Sequence, residues 1–254
     1  MKVSLVIPCY NEVSNLQKGV LDKIGNFTSH DDRFQEVIIV DDGSTDNSKQ
    51  KIKERYLGQF PKFRLVENNH QGKAFAVITG IKESKGKYVI FSDMDLATPI
   101  EESIKLIEAA GKGAEIVIGS RKMQREDAPL LRKLMAIGFI LLRSILIGLR
   151  DIKDTNCGFK IFEKAQILEV IERLRVFKSR DFVLKPSVSA GFDLELLFIA
   201  RKLGYKIKEV PVVWRHLETK RVSFLRDSAE TIKDMLKIRW THIIGKYDLK
   251  NNQG

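Results

Sequence analysis

A chain of 254 residues, 43% hydrophobic and 30% charged, has apolar material for one large α/β domain or two small ones, which excludes disordered and fibrous classes. The net charge of +11 is uneven: residues 1–50 hold 5 basic and 8 acidic side chains, residues 201–254 hold 13 basic and 6 acidic. Two cysteines, Cys9 and Cys157, are too few for a disulfide framework and suit a reducing compartment.

The opening MKVSLVIPCYNE carries charge too early for a secretory signal, so a cytoplasmic location is expected. Short apolar runs at 3–8, 36–40, 63–66, 88–91 and 116–118 read as buried strands. Between them, segments near 14–25, 46–57, 73–84 and 99–110 carry helical spacing. This alternation predicts an α/β fold with a mostly parallel central sheet flanked by helices, and ligands outside the carboxyl ends of its strands. The polar clusters 9–12, 41–44, 68–73 and 92–95 each fall just after a strand. That coincidence is the main sign of a site.

Residues 130–149 are 14 of 20 apolar but are interrupted by Arg132, Lys133 and Arg143. The longest uncharged stretch there is nine residues, 134–142, well short of the roughly 20 that span a bilayer. The segment reads either as a buried crossover helix or as an interfacial helix with its arginines at lipid headgroups. Residues 190–203 read as a helix, 206–214 as a strand, and 224–244 as a basic amphipathic helix, with 250–254 a frayed tail. The chain therefore divides into a main domain, 1–223, and a C-terminal basic helix and tail, 224–254. No repeat, low-complexity tract or strong oligomer signal is present.

No G-x-G-x-x-G follows the first strand, no complete P-loop exists, and the four histidines offer no zinc spacing. Carboxylates and bases must therefore handle the ligand. Asp93-Met94-Asp95 ends the fourth strand, and in an extended segment residues i and i+2 face one side. Two hard oxygens so placed suit Mg²⁺ or Mn²⁺ on a diphosphate, although such a pair can equally be a solvated turn. Asp41-Asp42-Gly43-Ser44 ends the second strand; Ser44 or Asp46 can cap the next helix, and one aspartate can accept a nucleobase N–H. After the first strand, in Pro8-Cys9-Tyr10-Asn11-Glu12, Tyr10 can stack on a base or ribose and Glu12 can accept a hydrogen bond. An acidic front and a basic tail fit a divalent cation at one end and an anionic surface at the other. Nucleic acid is disfavoured as that surface, because zinc-finger, RNP and basic-region signatures are all missing.

The order [IV]-P-x-Y-N-E, V-D-D-G-S-T-D, N-x-x-x-G-K, S-D-x-D, each closing a successive strand, resembles family 2 glycosyltransferases of the GT-A type. Ile118-Gly119-Ser120-Arg121 and the segment 154–162 (DTNCGFKIF) resemble the polyprenyl-phosphate branch, that is, dolichyl-phosphate glucosyltransferases and dolichol-phosphate mannose synthases. The resemblance covers about residues 1–230. DMDLATP (93–99) and EVPVVW (209–214) lean to the glucosyl type; Ala97 stands where mannose synthases carry a glutamine that can ligate metal.

The resemblance implies inverting, metal-dependent transfer of a hexose, favouring glucose from UDP-glucose, to dolichyl or polyprenyl phosphate at the cytosolic membrane face. GDP-mannose is the alternative donor. Rival readings are a soluble glycosyltransferase acting on a sugar hydroxyl and a non-catalytic nucleotide-sugar-binding protein. Asp93 and Asp95 would hold Mg²⁺ or Mn²⁺ and, with Arg121, form the catalytic set. Pro8, Tyr10, Asn11, Glu12, Asp41, Asp42, Lys73, Asp93 and Met94 would bind the nucleotide sugar. Arg121, Arg132, Asp154, Lys220 and Arg221 would meet the acceptor phosphate. Asp154 can place the acceptor, place Arg121, or fix its own loop; Asp193 and Glu195 are base candidates only if the acceptor is a hydroxyl. A phosphate monoester, with its second pKa about 6, needs no dedicated base. A lipid acceptor requires work at the membrane surface, for which the basic tail and the 130–149 segment are suited.

Overall fold

The computed structural model describes residues 1–121, 130–178, 190–215 and 224–248, leaving aside the side chains of 130–137, 140, 190 and 224–227. Seven strands form one sheet: β1 (Val3–Cys9), β2 (Phe34–Asp41), β3 (Phe63–Glu67), β4 (Tyr88–Ser92), β5 (Ile116–Arg121), β6 (Phe159–Glu163) and β7 (Ile207–Val212). Their spatial order is β3-β2-β1-β4-β6-β5-β7. Only β6 runs antiparallel to its neighbours, β4 and β5; the other pairings are parallel. Every residue of β1 and β4 is buried, as expected for apolar runs covered on both faces.

The helices are α1 (Val13–Gln17), α2 (Val20–Ser29), α3 (Ser48–Lys51), α4 (Leu57–Gln59), α5 (Lys73–Glu83), α6 (Ser103–Gly111), α7 (Leu130–Ile147), α8 (Lys164–Arg173), α9 (Ala190–Lys202) and α10 (Phe224–Ile243). The helix expected near 14–25 is two helices, because Gly19 adopts a left-handed φ of 71° between them. The one expected near 46–57 runs from α3 through a π turn (Ile52–Tyr56) into α4. The wider turn still buries Ile52 and Tyr56, and the Tyr56 hydroxyl donates to the Leu16 carbonyl at 3.2 Å.

β6 and α8 had no counterpart in the sequence reading. The run F-K-I-F-E carries a lysine on a buried strand, which breaks the apolar signature. The consequence for the site is large. Because β6 is antiparallel, its first residue Phe159 lies beside Ser92 at the end of β4, so the 154–158 loop enters at the same edge as Asp93. Cys9 is level with Asp41, Asp41 with Glu67, and Arg121 with Val212. One sheet edge therefore gathers the ends of β1 to β5 and β7 and the start of β6.

Candidate active site

At the β1–β2 end of this edge, two loops are stitched together. Asn11, at φ 55°, accepts the N–H groups of Thr45 (2.8 Å) and Asp46 (3.2 Å) through Oδ1, and its own N–H donates to Ser44 Oγ (3.0 Å). Its side chain, expected on the nucleotide, is spent holding the loops. The Glu12 N–H donates to Ser48 Oγ (2.7 Å), and its carboxylate accepts from the Asn15 amide. Asp46 rather than Ser44 serves the following helix, accepting the Ser48 N–H at 2.9 Å.

The two aspartates of the second motif part company. Asp42 is saturated: it accepts the N–H groups of Gln71 (3.1 Å) and Gly72 (2.7 Å), and His70 Nδ1 lies 2.8 Å from its Oδ2. Asp41 is 1% exposed; its Oδ2 accepts the Ser44 N–H at 3.1 Å, while its Oδ1 is buried with no hydrogen-bond partner. A buried carboxylate oxygen left unpaired is costly, so this one awaits a donor. Gly43, at φ 73°, makes the turn that follows the pair, and a Cβ there would press on the backbone of His70. The Tyr10 ring stacks on His70 at 4.0 Å and 15°. Pro8 lies buried within β1 and supports this end through packing.

Asp93 and Asp95 are brought together by a turn and not by strand alternation. The Leu96 N–H donates to the Asp93 carbonyl at 3.3 Å, and Leu96 sits at φ 49°, a left-handed conformation that a branched aliphatic residue rarely adopts. Met94 is 3% exposed: its side chain packs in the core, and only its backbone is left to border the edge where a nucleotide contact was expected. Asp95 Oδ1 accepts the Ala97 N–H at 2.9 Å. Burial raises the Asp95 pKa, and the neighbouring Asp93 raises it further. Lys73, the first residue of α5, ion-pairs with Asp93 Oδ1 and lies 5.5 Å from the centre of the Phe91 ring. Burial opposes its charge, but Asp93, Asp193 and Asp95 outweigh that and raise its pKa.

Across the edge, Arg121 grips Asp154 in a fork, Nε to Oδ2 at 2.6 Å and Nη2 to Oδ1 at 2.7 Å, while its own N–H also donates to Oδ2 at 3.1 Å. The hydrogen bond from Asp154 raises the Arg121 pKa; burial works against the Asp154 charge, but Arg121 overrides it and holds that pKa low. Asp154 therefore positions Arg121; its carboxylate is not free for an acceptor. Trp214 lies under the guanidinium at 5.6 Å, and the Arg215 N–H donates to the Ala97 carbonyl at 2.7 Å, docking the end of β7 on the aspartate turn. Arg132 lies on α7 with its side chain outside the described residues, and Lys220 and Arg221 are outside them altogether.

Four residues that border or brace the site were given no part in it by the sequence reading. His70 fills one face of Tyr10; its signal was only its place inside N-x-x-x-G-K. Gly158 lets the loop close on Asp93, since a Cβ there would overlap the Asp93 carboxylate. Lys160, 0% exposed, donates to Asp193 Oδ1 (2.8 Å) and the Cys157 carbonyl (2.6 Å), so Asp193 is held in an ion pair. Arg143, expected at headgroups under the interfacial reading, is buried at 2% exposure and donates to the carbonyls of Ile152 and Lys153 and to Thr155 Oγ1, bracing the loop that carries Asp154. Glu195 is structural, accepting the N–H groups of Arg175, Val176 and Phe177.

Among the described residues no three His, Cys, Asp or Glu side chains converge to hold a metal. Asp93 and Asp95 nonetheless fit a divalent cation as a two-carboxylate donor set, the second of them ionising reluctantly even with Lys73 nearby. A parallel sheet with one reversed strand, an unpaired aspartate oxygen beside a stacked tyrosine, and a paired-aspartate turn facing an arginine fork define a GT-A glycosyltransferase.

The chain belongs to glycosyl transferase family 2, whose family profile matches residues 4–169. It is 32% identical to the dolichyl-phosphate beta-glucosyltransferase of Saccharomyces cerevisiae over 96% of this chain and 76% of that protein. It is 37% identical to the dolichol-phosphate mannosyltransferase of Pyrococcus furiosus over 83% of this chain and 56% of that one. The crystal structure of glucosyl-3-phosphoglycerate synthase from Mycobacterium tuberculosis, in complex with Mn²⁺, UDP-glucose and phosphoglyceric acid, superposes with a TM-score of 0.65. Its sequence identity is 20%, over 94% of this chain and 80% of that chain.

Proposed function

We propose that this enzyme transfers glucose from UDP-glucose to dolichyl or another polyprenyl phosphate, with inversion, at the cytosolic surface of a membrane. The observation that carries the reading is the pairing of a nucleoside-ready end, with Asp41 Oδ1 unpaired beside Tyr10, and a cationic fork, Arg121 on Asp154, on opposite sides of Asp93 and Asp95. The similarity to dolichyl-phosphate beta-glucosyltransferases along nearly the whole chain supports the substrate pair.

In this reading Asp41 Oδ1 accepts an N–H of the base, and Tyr10 stacks on the base or ribose. Asp93 and Asp95 would hold Mg²⁺ or Mn²⁺, which supplies charge stabilisation for the departing diphosphate. Lys73, kept beside that pair, adds a fixed positive charge. Arg121 orients the acceptor phosphate. One of its oxygens attacks the anomeric carbon opposite the diphosphate; the new C–O bond forms as the old one breaks, and the nucleoside diphosphate leaves with the electron pair. A dianionic phosphate needs no base, which agrees with Asp193 being tied to Lys160.

Mannosyl transfer from GDP-mannose is the second reading, favoured by the 37% identity to the Pyrococcus mannosyltransferase. The test is to incubate the protein with Mg²⁺, a short polyprenyl phosphate and a panel of labelled nucleotide sugars. Glucosyl lipid from UDP-glucose is expected. Mannosyl lipid from GDP-mannose would replace the donor, and transfer only to water-soluble hydroxyl acceptors would overturn the reading.

A further inference from the structure

Nine large hydrophobic side chains are exposed among the described residues, and six of them cluster on two helices packed against each other. Leu141 and Ile145 project from α7; Leu236, Trp240 and Ile243 project from α10, and Ile244 follows in its last turn, its N–H donating to the Trp240 carbonyl at 3.0 Å. With about 3.6 residues per turn, the α10 positions i, i+4, i+7 and i+8 form a single stripe. The opposite face of α10 is spoken for: Thr231, Asp234, Met235 and Ile238 are buried, and α10 packs on α9. The helix is thus apolar on two sides, one inside the protein and one facing out.

Charge identifies what covers the outer side. Lys233, Lys237 and Arg239 are exposed around the stripe, whereas Asp234 is buried and packed against Gly191. A two-fold contact between copies of this face would set these cations against their own equivalents. A layer of lipid phosphates with acyl chains beneath satisfies both features: the basic stems snorkel to the headgroups, and Trp240 sits at the boundary. No helix among the described residues is long and apolar enough to cross a membrane, so contact through this face is in-plane.

We propose that the outer face of α10, with Leu141 and Ile145 of α7, docks the enzyme on an anionic lipid bilayer with α10 lying in the headgroup plane. The inference deepens the reading of a lipid-phosphate acceptor and rests on it for its purpose, but docking itself is measurable without any substrate.

The full chain is mixed with vesicles of phosphatidylcholine containing phosphatidylglycerol, and with phosphatidylcholine alone. Binding is followed by co-sedimentation, and in a Trp214→Phe variant by quenching of Trp240 with brominated lipid. Preferential, salt-sensitive binding to the anionic vesicles with Trp240 quenched is expected. Leu236→Glu and Trp240→Glu should each weaken it at least about tenfold, and the paired change Lys233→Gln with Lys237→Gln should remove most of the anionic preference. Circular dichroism and thermal melting of these surface variants check that they fold, and unaltered spectra are expected. The Leu236→Glu, Trp240→Glu and Lys233→Gln/Lys237→Gln variants, made without the Trp214 change, are assayed on short polyprenyl phosphate in detergent micelles, where their transfer rates should match the unaltered enzyme. Unimpaired vesicle binding by Leu236→Glu and Trp240→Glu, or no binding at all, overturns the docking face. So does a stable dimer that Trp240→Glu dissociates, since the stripe would then be a self-interface. Detergent activity without vesicle binding sinks the docking alone; vesicle binding without any lipid-linked product sinks the acceptor reading alone.

Discussion

Asp95 is a residue held at a disadvantage for the sake of its task. Its pKa is raised, so it binds its proton more tightly in the folded chain than in the unfolded one. That contribution to stability is present below the ordinary aspartate range and is lost as pH rises through the raised pKa. At neutral pH the ionised side chain therefore works against folding. Asp95→Asn is expected to raise Tm at pH 7 while lowering transfer by about 10²–10³-fold; a calorimetric melt and a lipid-product assay read the two effects, and retained activity would refute the metal assignment. In the unaltered enzyme the acid limb of activity should move to lower pH as Mg²⁺ is raised, because the cation competes with the proton for the carboxylate. Gly158→Ala is expected to displace Asp93 and lower kcat/KM by about 10²-fold without unfolding the chain. Arg121→Ala is expected to raise the KM for the lipid acceptor about tenfold and leave UDP affinity, measured by titration calorimetry, unchanged. Equal losses in both would remove Arg121 from the acceptor side.

The second half of the molecule turns on elements whose ends are pinned by buried charges. Glu195 on α9 is fully buried and accepts three backbone N–H groups, from Arg175, Val176 and Phe177, as well as the Tyr247 hydroxyl at 2.6 Å. This carboxylate fastens the segment after α8 and the segment after α10 to the same helix. Burial and Glu195 together push the Tyr247 hydroxyl's pKa far up, so it stays a donor throughout the working range. A glutamine at 195 would turn an N–H₂ toward one of these donors. Glu195→Gln is expected to cost about 2–4 kcal/mol and to lower Tm by several degrees. Tyr247→Phe, which removes one bond and leaves the carboxylate three donors, should cost about 1 kcal/mol. Urea melts of the two variants measure the difference. Arg143 plays the corresponding part for α7: its guanidinium holds the 152–155 loop, and through Asp154 that loop aims Arg121. Glu209 of β7 supports the same loop by accepting the Asp154 N–H at 2.7 Å.

At the scale of the whole molecule, one sheet edge bears the unpaired Asp41 oxygen, the Tyr10–His70 stack, the paired aspartates and the arginine fork, with the apolar helix pair outside the core. Much of this was written locally. Apolar runs of three to six residues, most of them ended by a polar cluster, are enough to specify a parallel sheet with its ligands at the carboxyl ends, since strands covered on both faces cannot be polar. Tyr10, Asp41, Asp93 and Asp95 stood out as candidates because each stands just past such a run or at its end, whereas Arg121 was named only through the family resemblance. Which partner each would meet was not. That Asp42 is saturated while Asp41 keeps a bare oxygen depends on the 70–72 backbone, far along the chain. That Asp154 serves Arg121 depends on pairing across 33 residues, and β6 was hidden because a buried lysine interrupts its pattern. The sequence by itself determined the alternation, the fold class and the chemical kinds of side chain at the strand ends, because these follow from local spacing and hydropathy. Only the tertiary structure decided which carboxylates are spent, which arginine is buried and which face of α10 is left bare, because hydrogen bonds and ion pairs are satisfied by proximity in space, and neighbours in space are not neighbours in the chain.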